Sequence, residues 1–196
     1  MNRLPIAVSL LAFCALASGC AALHLPSAQT AGTASKQLVF QNKTKEMVVT
    51  PDSKVDPVPV TDVADTHLQV LDGQGNRVML DVAKTPVLIV AYWCPHCQRT
   101  LELLSTHRAQ LGQLPVLVNT GFPAGTTLTE AKRVEAAEVK DLKLQNFTSY
   151  YALDTSFANR YAPKGYPTLL YPSATGVQSL NGEHVLSVWA QVLGGK

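Results

Sequence analysis

The sharpest change of hydrophobic period along this chain falls between residues 87 and 111. Residues 87–91 (Val-Leu-Ile-Val-Ala) are continuously apolar and rich in β-favouring side chains, which predicts a buried strand. From Cys97 onward the spacing turns helical, with Cys97, Leu101, Leu104, Arg108 and Leu111 three and four residues apart. Between strand and helix stand Tyr92, Trp93 and the run Cys94-Pro95-His96-Cys97.

Patterning elsewhere predicts the neighbours of that unit. Residues 67–80 read as a hairpin, with Leu68, Val70 and Leu71 before the turn-rich Asp72-Gly73-Gln74-Gly75-Asn76, and Val78 and Leu80 after it. Residues 114–119 predict a second covered strand. Thr127 and Glu130 have the spacing of a capping box, opening a helix to about Leu142. Its stripe of Leu128, Ala131, Val134 and Leu142 is weak, which predicts a surface helix. Residues 150–153 predict a short strand, followed by a short helix capped by Asp154 or Thr155, with Phe157 and Tyr161 on one face. An apolar strand at 168–171 is led by Gly165-Tyr166-Pro167. Proline is tolerated at the first residue of a strand, where an X-Pro bond can be cis. Residues 177–180 and Asn181-Gly182 predict a closing hairpin, and Val185, Val188, Trp189 and Val192 form the stripe of a last helix. Strand, helix, strand, helix, strand, hairpin and helix make an α/β sandwich with its chemistry at strand ends.

The first sixty residues are organised differently. Arg3 precedes a mostly apolar run at 6–17, the length of a signal-peptide core and short for a membrane span. The following Leu16-Ala17-Ser18-Gly19-Cys20 resembles the lipobox of bacterial lipoproteins, with Leu16 one place further from the cysteine than usual. That resemblance implies cleavage before Cys20 and lipidation of its sulfur; an ordinary signal-peptidase site nearby is the alternative. Either implies export. Residues 20–37, rich in Ala, Ser, Thr and Gly, predict a flexible tether. Residues 38–65 form an N-terminal extension to which the sequence assigns no function. Two short strands are expected at 38–40 and 47–49, around a charged turn at 42–46, and Pro51, Pro57 and Pro59 predict an extended crossing. Asn42-Lys43-Thr44 and Asn146-Phe147-Thr148 fit the glycosylation pattern, which is frequent by chance and at odds with a bacterial lipoprotein signal.

Composition changes this picture little. The 196 residues, 46% hydrophobic and 15% charged, describe a globular chain with one domain and appendages. A net charge of +2, without a basic run interleaved with aromatics, gives no argument for nucleic acid.

The candidate chemistry lies at Cys94 and Cys97. A cysteine at a helix start meets unpaired amides and the positive end of the helix dipole, which stabilise the thiolate that performs disulfide exchange. Pro95 suits the first turn, His96 as a cation or donor adds to the stabilisation, and Cys97 lies one turn on. A dithiol–disulfide couple follows, in keeping with the oxidising compartments that exported proteins reach. Two other readings stand beside it, a purely structural disulfide and half of a metal site. Structural zinc wants four ligands, whereas Cys14 and Cys20 belong to the N-terminal segment and His67, His107 and His184 are scattered. Haem attachment needs His directly after the second cysteine, where Gln98 stands.

Trp93-Cys94-Pro95-His96-Cys97, the later Gly165-Tyr166-Pro167-Thr168 and the closing hairpin and helix resemble the thioredoxin superfamily, over roughly 67–194. The leading hairpin and the helix at 127–142 look most like its membrane-tethered TlpA/ResA branch, while the Pro-His dipeptide is that of the oxidant DsbA. The resemblance implies a thioredoxin-like domain at 66–196, with a central mixed sheet flanked by helices, preceded by the signal segment at 1–19, the tether and the extension. It implies that Cys94 is the attacking nucleophile and Cys97 the resolving cysteine. It places Pro167 in a cis-proline loop facing them, with Tyr166 offering backbone to an extended substrate, Trp93 packing beside the site and His96 tuning its potential. Pro167 as a plain edge-strand start is the alternative. No cofactor, metal or nucleic acid is implied. The implied partners are exported protein thiols or disulfides, an unidentified membrane or soluble redox partner, and the membrane through the anchor.

Two departures stand out. The buried acid on the strand six residues before the first cysteine is Leu88 here, and the ResA-like acid three residues after the second is Thr100. Glu102 falls at a solvated helix angle, so proton delivery to Cys97 is unassigned, with water as the route left. The expected function is thiol–disulfide exchange outside the cytoplasm, as an oxidant or isomerase by the dipeptide. The alternatives are a reductase serving cytochrome c maturation or repair, by the branch, and a non-catalytic lipoprotein holding a metal or a partner.

Overall fold

The computed structural model describes residues 37–145 and 147–195. The signal segment, Cys20, nearly all of the tether and Asn146 lie outside the described residues. Among the described residues the chain runs β1 (Val58–Pro59), β2 (His67–Leu71), β3 (Arg77–Asp81), β4 (Val87–Ala91), α1 (Pro95–Thr106), β5 (Val116–Thr120), α2 (Leu128–Asp141), β6 (Ser149–Tyr151), α3 (Phe157–Tyr161), β7 (Thr168–Ser173), β8 (Gly176–Asn181) and α4 (Leu186–Val192). The strands form one mixed sheet in the order β1-β8-β7-β4-β5-β6-β2-β3. β4 pairs parallel with β5 through the α1 crossover and antiparallel with β7, and β7 pairs antiparallel with β8. That is the thioredoxin-like arrangement.

β4 is buried at every position because helices cover both its faces. Its side chains alternate: Leu88 and Val90 join α1 and α4 through Cys97, Leu101, Leu104, Val188 and Trp189. Val87 and Ile89 join Leu68, Val70, Phe157 and Leu170 on the opposite face. Trp189 is fully buried, and its indole N–H donates to the His184 carbonyl at 2.9 Å. Burying one such large apolar side chain stabilises by roughly 1.5–3 kcal/mol, so the stripe 97-101-104 fixes α1 against β4 and with it the position of the cysteines.

The hairpin β2–β3 forms as expected. The Asp72 carboxylate accepts from the Gln74 and Asn76 amides, both at 2.8 Å, and closes the turn. The capping box of α2 is also present.

Three expectations are corrected. The strands expected at 38–40 and 47–49 do not form; these residues join no ladder among the described residues, and Val39, Met47 and Val48 are exposed. The closing hairpin turns at Ser173–Gly176, where the Ser173 hydroxyl donates to the Gly176 carbonyl at 2.8 Å. Asn181-Gly182 instead ends β8, with the Gly182 amide donating to the Pro167 carbonyl at 2.8 Å. Finally, α2 does not lie loosely on the surface, for it fully buries Ala131 and Val134 and, one period on, Glu138.

The extension is an extended strap. The Arg133 guanidinium donates to the Leu38 carbonyl, Asp52 bridges to His184, and β1 covers the outer edge of β8. Pro59 suits that edge position. Among the described residues no helix is long and apolar enough to cross a membrane.

Candidate functional site

Cys94 is the N-cap of α1 and Pro95 its first residue, so the orphan amides of the first turn gather around the Cys94 sulfur. Both cysteines are free thiols and both are buried, Cys97 completely. The Cys94 thiol is pulled down to about 6. A hydrogen bond from the Cys97 thiol is the largest cause; burial opposes it, and the Cys97 and His96 amides and then the His96 charge add smaller pulls. Cys97 is held well above the usual thiol range by burial, then by its hydrogen bond to Cys94 and by the Cys94 charge. One exchange-ready sulfur and one protonated partner result.

The peptide bond between Tyr166 and Pro167 is cis, and the Tyr166 carbonyl lies 3.8 Å from the Cys94 sulfur, within reach of its thiol as a weak donor. The Trp93 indole N–H donates to the Gly121 carbonyl at 2.8 Å, and its ring meets Tyr166 edge-on at 5.8 Å. Gly121 has φ 71°, and a Cβ there would come within 3.0 Å of Ala91 and 3.2 Å of Trp93, so only glycine fits. Trp93 itself is 44% exposed. It stands at the mouth of the site rather than packed beneath it.

His96 is bound through Nδ1 to the Glu183 carboxylate. Arg99 grips the same carboxylate, with Nε at 3.0 and 3.2 Å and Nη2 at 2.5 Å, and the Glu183 side chain is only 6% exposed. Arg99 also donates to the carbonyls of Thr44, Glu46 and Met47 at 3.0, 2.6 and 3.1 Å. Gln98, fully buried, donates to the Tyr92 carbonyl at 2.7 Å and the Gln41 carbonyl at 3.0 Å and accepts from the Lys43 amide at 2.6 Å. The two residues after Cys97 therefore tie the strap at 41–47 to the first turns of the cysteine helix.

The structure brings Trp93, Cys94, Pro95, His96, Cys97, Tyr166 and Pro167 together; Cys20 lies outside the described residues. Sequence reasoning missed Gln98, Arg99, Glu138 and Glu183. For Glu138 the one signal was its interval after Ala131 and Val134 on the buried face of α2, which a reading of apolar residues alone passes over. Its carboxyl is 2% exposed, and Oε1 has no hydrogen-bond partner.

No family model matches the chain, and no curated protein matches it in sequence. Solved structures similar to it include a secreted disulfide oxidoreductase of Mycobacterium tuberculosis, 17% identical, covering 67% of this chain and 98% of that one with a TM-score of 0.46. An exposed lipoprotein thioredoxin of Streptococcus pneumoniae is 18% identical over 65% of this chain and 98% of its own, at 0.45. A thio-disulfide isomerase of Thermus thermophilus is 19% identical over 76% and 99%, at 0.44. Likenesses of this degree leave the functional reading to the geometry of the site.

Proposed function

We propose that this chain is an exported thiol–disulfide oxidoreductase that donates the Cys94–Cys97 disulfide to protein thiols outside the cytoplasm. The observation that carries the reading is the Cys94 sulfur, placed at the N-cap of α1 with its thiol at about 6, within 3.8 Å of the Tyr166 carbonyl. A substrate thiolate attacks Cys94 of the oxidised protein, the Cys94–Cys97 bond breaks, and Cys97 leaves and takes up a proton. A second substrate thiolate then attacks the substrate sulfur of the mixed disulfide. The substrate disulfide forms and Cys94 departs as a thiolate, carrying with Cys97 the two electrons withdrawn. A low thiol pKa makes Cys94 the better leaving group in that second step, which favours donation over reduction. Tyr166 offers its backbone beside Pro167 to an extended substrate, and half-exposed Trp93 offers an apolar rim. The N-terminal pattern supports export and anchoring at Cys20, with residues 20–37 as the tether. A separate membrane or soluble redox partner reoxidises the dithiol.

Mixing the oxidised protein with a reduced, unfolded protein tests the reading. Stoichiometric appearance of substrate disulfides, abolished by Cys94→Ser, is expected. No substrate disulfide from this mixture, with reduced protein instead reducing a disulfide-bonded substrate in a parallel reaction, would overturn it.

A further inference from the structure

The turn between β8 and α4 delivers a buried carboxylate to the cysteine helix. Gly182, with φ 91°, bends the chain there and donates its amide to the Pro167 carbonyl at 2.8 Å. The next residue, Glu183, accepts the Asp52 amide on its backbone carbonyl at 2.9 Å. Its backbone is thus fixed from the proline loop on one side and from the strap on the other, and its side chain reaches the first turns of α1. There the carboxylate meets His96 Nδ1 and the Arg99 fork, with 6% of the side chain left exposed.

These contacts assign the His96 proton. A guanidinium only donates and a carboxylate only accepts. Arg99 Nη2 lies 3.0 Å from His96 Nδ1, but Glu183 Oε1 is closer to the same nitrogen. Nδ1 therefore carries a proton and donates it in a hydrogen bond to Glu183, and Arg99 stands beside that bond without donating to the ring. A charged acceptor holds the ring about twice as strongly as a neutral one would. His96 lies in the same first turn as Cys94 and directs its amide at the Cys94 sulfur. From its own helix the ring faces Arg99 and the Cys94 thiolate, and from the β8–α4 turn it faces Glu183. The strap offers Arg99 the carbonyls of Thr44, Glu46 and Met47. One carboxylate between two basic side chains leaves one positive charge in excess when the ring is protonated, the sign that suits a thiolate at the helix start.

We propose that Glu183 is a positioning residue for the cysteine pair, holding the His96 ring through Nδ1 so that the ring acts on the Cys94 sulfur from one fixed place. The inference rests on the oxidoreductase reading above and adds to it a residue 87 positions further along the chain than His96. In the donor reaction, negative charge forms on Cys94 as it leaves the mixed disulfide, within the turn of α1 that carries this ring. A ring pinned there in advance needs no rearrangement at that moment. Released from Glu183, the ring is free to turn toward solvent, and its share in stabilising the thiolate falls. A thiolate held less firmly makes the reduced form less stable, so weakening the hold lowers the reduction potential.

The test is a double-mutant cycle on the full chain, with Glu183→Gln made in the wild type and in His96→Ala. Two quantities are read, the pH midpoint of Cys94 alkylation and the reduction potential against glutathione. Glutamine keeps the shape of the side chain and removes its charge. It leaves Arg99 without its carboxylate in both backgrounds, so the difference between backgrounds isolates what passes through His96. With His96 present, Glu183→Gln is expected to move the midpoint upward and the potential downward relative to its effect in His96→Ala. Equal shifts in the two backgrounds, or a difference of the opposite sign, overturn the proposal and leave the oxidoreductase reading intact. A wild type with no reversible couple overturns both. If Glu183→Gln does not fold, nitrogen NMR of the wild-type His96 ring decides. A neutral ring protonated at Nδ1 is expected, and one protonated at Nε2 overturns the proposal.

Discussion

At the scale of single residues, two buried groups hold their protons in opposite ways. Cys94 gives up its proton early because the Cys97 thiol donates to it, and His96, the residue the sequence singled out, acts least. Alkylation of Cys94 is therefore expected to have its midpoint near pH 6, and Cys97→Ala should raise that midpoint more than His96→Ala does. The reverse order, read from alkylation rate against pH, would contradict the assignment of causes. Because the folded-state pKa is depressed from 9.0, Cys94 contributes stability that is fully present above pH 9 and lost as pH falls through about 6. Glu138 has the opposite sign. Its folded-state value is raised from 4.5 to about 8, so its stability is complete below 4.5 and lost as pH rises toward 8. Glu138→Gln removes that loss. Its melting temperature relative to wild type should climb between pH 4.5 and 8 and then level off, by an amount equivalent to a few kcal/mol, about 1.4 for each pKa unit. A flat difference would mean that Glu138 is not buried as a neutral acid.

At the scale of elements, the cysteine helix is held from two sides. Its stripe packs on β4, while Gln98 and Arg99 on its other side hold the strap at 41–47. Arg99→Ala frees three carbonyls and leaves Glu183 buried beside His96. The expected loss is about 2–4 kcal/mol in urea denaturation, with faster amide exchange at 41–50. Arg99→Lys should not restore it, since an ammonium cannot reproduce the guanidinium fork. Unchanged exchange in the strap would show that its backbone is held by something else. The core of this arrangement was legible in the sequence. A continuous apolar run giving way to helical spacing marks β4 and α1, and the proline after glycine and tyrosine marks the loop facing them. The strap was not legible, because Arg99 and Gln98 bind its carbonyls and amides, which every residue type presents alike. Glu138 was hidden for another reason. Apolar periodicity skips a charged residue even where the helix turns it inward, and so α2 read as a surface helix. Asn181-Gly182 misled because its residue types fit a hairpin turn, whereas the Ser173 side chain closes the real one.

At the scale of the whole molecule, stabilising the Cys94 thiolate stabilises the reduced protein relative to the oxidised one, since the disulfide carries no charge for the helix end to hold. The reduced form is therefore expected to melt at the higher temperature at neutral pH. An oxidised form that is the more stable of the two would mark the disulfide as structural. The strap runs across the cysteine helix to β8, so the extension and the first turns of that helix are held together. All of this converges on one quantity, the reduction potential of the Cys94–Cys97 couple equilibrated against glutathione in the full chain. A reversible two-electron couple well above the glutathione potential is expected. A value below it would make the protein a reductase, and no reversible couple would remove thiol–disulfide exchange from its function altogether.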